Sequence, residues 1–147
     1  MNTAPEHRTS AGDERFRQAF ESGMYAPADF NHAAHVRLAY VYLCAAPPDE
    51  AAGRMRSALL CFLAHHGIDA GKYHETMTRA WILAVHHFMQ QSPASDSAAA
   101  FMEANPGLLD SRIMLTHYSA DLLFSGAARA GFVEPDLDPI PRHEQRE

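Results

Sequence analysis

Histidine is the side chain of this sequence that invites a chemical reading. There are ten in 147 residues, and protonating all of them would turn a net charge of −6 into +4. Imidazole titrates near neutrality and is the commonest metal ligand, so this abundance points to metal or proton chemistry. His32 and His35 stand in the run NHAAHVRLA. A spacing of three on a helix puts both rings on one face, one turn apart. The same face continues through Val36, Ala39, Tyr40 and Leu43, which directs it into a helical core. His74 lies in KYHETMTRAW, on a stripe with Met77, Trp81, Val85 and Phe88, where an imidazole without a partner is costly. His117 shares an apolar face with Ile113 and Met114 and is the candidate for a fourth ligand.

Three neutral imidazoles from two helices leave a coordination position open, which suits catalytic zinc, copper or iron. The expectation is therefore one transition metal ion held by His32, His35 and His74, with His117 or Glu75 as an extra ligand or acid/base group; a set of four completed by His117 would favour a non-catalytic site. Glu75 points about 100° away from His74 on a helix, so it suits an acid/base or orienting role, or a pair with Arg79. Arg37 is placed to bind a substrate carboxylate, and Tyr73 to reach the same pocket. On this reading the chain is a small metal-dependent enzyme, a possible oxidoreductase, acting on a small molecule. Oxygen chemistry is favoured because no zinc-hydrolase motif occurs: Thr78 stands where HExxH requires histidine. Two other readings stay open. One is a non-catalytic metal- or ligand-binding module. The other is a metal-free helical protein whose histidines are acid/base groups or hydrogen-bonded core residues.

The remaining histidines carry less. His65-His66 and His86-His87 fall at predicted helix ends, where polar or cationic groups meet the negative end of the helix dipole. His7 and His143 lie near the termini and receive no role. No phosphate-binding glycine loop and no nucleophile elbow is present.

Such a site needs helices to position it. Glycine and proline punctuate the chain at helix-length intervals, and no segment alternates with period two. Helices are expected over Asp13–Ser22, Asp29–Ala46, Asp49–His66, Lys72–Gln91, Ser95 or Asp96 to before Asn105, and Asp110 to about Ser125, with a further turn through Ala130. The fold class is all-α, a single compact bundle of five or six helices at residues 13–133. Residues 1–12 read as a flexible N-terminus. Residues 134–147 read as a proline-rich strap, pinned by Leu137 and Ile140, with a charged end. The aromatic residues Phe16, Phe20, Trp81, Phe88, Phe101 and Phe124 read as core.

The acidic balance excludes a general nucleic-acid binder, which needs a basic face. The uncharged run from Leu38 to Pro48 is too short to span a bilayer, and the polar N-terminus lacks a secretory signal. Cys44 and Cys61, both in apolar stretches without CxxC spacing, read as buried free thiols. A soluble, cytoplasmic protein with a small-molecule ligand is expected, of open oligomeric state.

The segments NHxxHVRLA, YHETxTxAW, NPxLLD and PDLxPxP together resemble a family of small bacterial all-helical proteins to which no activity is attached. The resemblance covers roughly residues 20 to 141. It implies that the HxxH and YHET segments belong to one site.

Overall fold

The computed structural model describes residues 6–142, and all its regular structure is helical. Seven α-helices occur in the described residues: α1 (Ala11–Glu21), α2 (His32–Ala45), α3 (Pro48–His65), α4 (Glu75–Gln91), α5 (Ala98–Ala104), α6 (Ala120–Leu123) and α7 (Gly126–Ala130). Four 3-10 turns lie at Pro27–Asp29, Ala70–Lys72, Pro106–Leu109 and Ser111–Thr116. The all-α class holds, but five or six helices was too few.

The excess comes from the C-terminal third. The long helix expected from Asp110 is broken because short polar side chains start new helices. Asp110 takes the Arg112 N–H, Ser119 takes the Leu122 N–H, and Ser125 takes the Ala128 N–H. Each such side chain offers the backbone a local alternative to continuing the previous helix. The same effect moves two other starts. Asn31, not Asp29, caps α2 by accepting from Ala34 N–H, and His74 caps α4 from outside it.

The centre of the bundle is α2. Every residue from Leu38 to Leu43 is buried, so the helix is enclosed on all sides rather than amphipathic. It packs against α1, α3, α4 and α5. Phe20 stacks on Phe62 with ring centroids 4.4 Å apart, and Tyr40 stacks on Phe101 at 4.8 Å. These pairs tie α1 to α3 and α2 to α5, burying large apolar area near the middle. Of the aromatic residues expected in the core, Phe16, Phe20, Trp81 and Phe101 are buried and Phe88 packs on the core from its edge, but Phe124 is 58% exposed.

Cys61 is exposed and Cys44 half-buried, which corrects the expectation of two buried thiols. The buried stripe of α3 is Ala51, Ala52, Met55, Ala58 and Phe62, and Cys61 falls one step off it. In the strap after α7, Ile140 is buried while Leu137 is 53% exposed, so of the two expected anchors Ile140 alone pins it, and the Asp136 side chain adds a bond by accepting the Ser119 N–H. No helix among the described residues is long and apolar enough to cross a membrane.

Candidate functional site

The four histidines expected to share a metal ion do not converge on one point. His32, the first residue of α2, packs its ring against Trp81 (4.6 Å between centroids) and donates from Nε2 to the Leu108 carbonyl at 2.9 Å. His74 donates from Nε2 to the Leu123 carbonyl at 2.8 Å, while its Nδ1 accepts the Met77 N–H at 3.1 Å. His117 donates from Nδ1 to the Asp138 carbonyl at 2.7 Å. His35 meets the edge of the Phe30 ring at 6.0 Å. Burial pushes the His35 imidazole down to about 4, and repulsion from His32 adds to the effect.

This arrangement overturns the metal reading. Among the described residues, no group of three or more His, Cys, Asp or Glu side chains is placed to hold a metal ion. A carbonyl oxygen cannot donate, so the bonded nitrogens of His32, His74 and His117 carry the proton and are not ligands in that state, and these bonds aim the rings at Leu108, Leu123 and Asp138 rather than at one another. At His74 both nitrogens are engaged. Its expected stripe with Met77 and Trp81 is also lost, because the residue precedes α4 instead of belonging to it. The transition-metal cofactor, the metal ligation by His32, His35, His74 and His117, and the metal-dependent oxidoreductase chemistry built on them are therefore withdrawn.

His7, which sequence reasoning gave no role, follows the same pattern as His74. Its Nε2 donates to the Met89 carbonyl at 2.8 Å, its Nδ1 accepts the Ser95 N–H at 3.1 Å, and the ring is buried edge-on to Tyr40 and Phe101. An imidazole that donates at one nitrogen and accepts at the other is uncharged. His143 lies outside the described residues.

The other candidate residues are also placed by specific partners. Arg37 pairs through Nε with Asp13 at 3.0 Å and lies over the Phe16 ring. Asp13 is 1% exposed and also accepts the Ser10 and Ala98 N–H groups at 3.0 and 2.9 Å. Burial works to raise the Asp13 pKa, but these hydrogen bonds and Arg37 outweigh it and hold the carboxyl below its ordinary range. The ensemble locks α1, α2 and the start of α5 together. Tyr73 donates to Glu75 Oε1 at 2.7 Å, and Arg56 from α3 approaches the same oxygen at 3.3 Å. Arg79, the expected partner of Glu75, reaches Asp49 at 3.6 Å instead. Thr78 donates to the His74 carbonyl rather than to its ring.

A different region has the shape of a binding site. A groove of about 880 Å³ opens between α1, α2 and α3, a size typical of small-molecule sites. Its lining includes the small side chains of Val41, Ala45 and Ala58, together with Gly53. Polar groups line it from both outer helices. Arg17 pairs with Glu14 and Glu21 along α1, and Arg54 pairs with Glu50 along α3. Tyr42 of α2 donates its hydroxyl to Glu21. Burial raises the Tyr42 pKa, the Glu21 contact adds to this, and the Arg17 and Arg54 charges oppose it, so both guanidiniums act on this one hydroxyl. No histidine lines the groove. Sequence reasoning missed this region because charge pairs four apart on a helix read as a solvated face.

No family model, curated protein or solved structure matches this chain.

Proposed function

We propose that this protein is a metal-free helical binding module. Its histidines are polar clasps of the fold, and the groove between α1, α2 and α3 receives a small molecule. The observation that supports this reading most is the division of labour. His7, His32, His74 and His117 are bonded to backbone groups distant in sequence, whereas the groove holds polar groups around small apolar side chains without any histidine. The resemblance that joins the HxxH and YHET segments then concerns a structural unit: His32 at the start of α2 packs on Trp81 of α4. Two free cysteines suit a reducing, cytoplasmic setting.

The groove's chemistry narrows the ligand. Carboxylates and guanidiniums line it together and pair with one another. A singly charged ligand would meet both signs at once. A small zwitterion can exchange with the resident pairs, its carboxylate taking Arg54 and its ammonium meeting Glu21, with its apolar part over Ala45 and Ala58. The test is titration calorimetry with three matched sets of compounds: free amino acids, the corresponding carboxylic acids and the corresponding amines. Zwitterions are expected to bind, and Arg54→Gln and Tyr42→Phe to weaken them about tenfold each. Absence of binding by every zwitterion, or equal binding by the singly charged compounds, would overturn the assignment.

A further inference from the structure

His74 occupies an unusual place for its residue type. It is the N-cap of α4, the helix running from Glu75 to Gln91, and its ring nitrogen does the work that a Ser, Asp or Asn oxygen normally does. The opposite nitrogen crosses to another element and holds the Leu123 carbonyl at the end of α6. One imidazole thus closes two structures together, and only its uncharged form can do both.

We infer that His74 is an acid-sensitive latch, which caps α4 and holds α6 when neutral and releases both when protonated. A proton on Nδ1 removes the acceptor for the Met77 N–H and sets two N–H groups facing each other. It also places a positive charge at the positive end of the α4 dipole. The charged side chains around it offer little compensation. From α7 the group facing the ring electrostatically is Arg129, which disfavours the charged form. From α6 it is the Leu123 carbonyl, which already takes the Nε2 proton. On its own segment Glu75 is occupied by Tyr73 and by Arg56 of α3. Burial lowers the His74 pKa first and Arg129 further, while the Leu123 carbonyl opposes them, leaving it below the ordinary imidazole value.

What the latch covers gives the release a consequence. Leu123 is 1% exposed and Phe124, its neighbour, is already 58% exposed. Loosening α6 joins the two into one apolar surface that is present in acid and absent at neutral pH. This inference is independent of the groove and its ligand.

The test is backbone hydrogen exchange of the full chain at about pH 7.5 and 5.5, corrected for the intrinsic pH dependence of exchange. In the wild type, protection at Met77 and over residues 122–124 is expected to fall about tenfold in acid. His74→Asn keeps an acceptor for the cap but does not titrate, so its protection is expected to be the same at both pH values. Equal protection of the wild type at both pH values, or a wild-type pH response in the Asn variant, overturns the latch. Should the variant fail to fold, NMR titration of the His74 ring nitrogens in the wild type decides. Protonation coinciding with loss of α6 protection supports the latch, and protonation without that loss refutes it.

Discussion

An imidazole packed inside a helical protein needs partners for its nitrogens, and at His7, His32, His74 and His117 the backbone supplies them. Leu108 is 76 residues from His32 in sequence, and Leu123 is 49 from His74. Nothing local in the sequence could have named those carbonyls. The residue types and the i, i+3 spacing at His32 and His35 were legible, and so was the need for partners, but their identity depended on tertiary placement. His35, whose shift comes from burial rather than from a backbone partner, carries an energetic consequence of its own. Its pKa is about 4 in the fold against about 6.5 in the unfolded chain, so between those values the unfolded state binds the proton first. Its contribution to stability is therefore complete above pH 6.5 and is lost as the pH falls toward 4. The loss is on the order of 3 kcal/mol across that window. Urea unfolding at several pH values should show this decline, and His35→Phe should flatten most of it. A decline of the same size in the Phe variant would show that other groups cause it.

At the scale of elements, caps and breakers decided where helices begin and end, and the stops were more readable than the starts. Gly23 and Gly67 follow α1 and α3 as expected, whereas Asn31 rather than Asp29 caps α2 and α3 opens at Pro48 rather than after a cap at Asp49. The C-terminal third misled because its apolar spacing fits a helix while Ser119 and Ser125 each restart the chain. The two glycines also give a discriminating test. Both have positive φ, at 81° for Gly23 and 66° for Gly67. At Gly23 an added methyl would lie 2.3 Å from the His65 ring, whereas at Gly67 it would meet open space. Gly67→Ala should cost about 1 kcal/mol, the backbone strain alone. Gly23→Ala should cost roughly 2–3 kcal/mol, because the ring must also move. His65→Ala combined with Gly23→Ala should recover part of the difference. Thermal unfolding of the three variants beside the wild type checks this, and equal losses for the two glycines would contradict it.

For the whole molecule, the all-α class followed from punctuation and periodicity, and the groove did not. A groove is the space left between three helices. Here Ala45 belongs to α2 and Gly53 and Ala58 to α3, and their juxtaposition is invisible until α2 and α3 are packed. The same packing separates the groove from the histidines bonded to the backbone. Long-range proton–nitrogen NMR of the imidazole rings near neutral pH tests it most directly, because it reads which nitrogen of each ring carries the proton. Protons on Nε2 of His7, His32 and His74 and on Nδ1 of His117, undisturbed by an added equivalent of zinc, are the predicted result. The opposite tautomers, or zinc-induced shifts at His32, His35 and His74 together, would contradict it and restore a shared metal site.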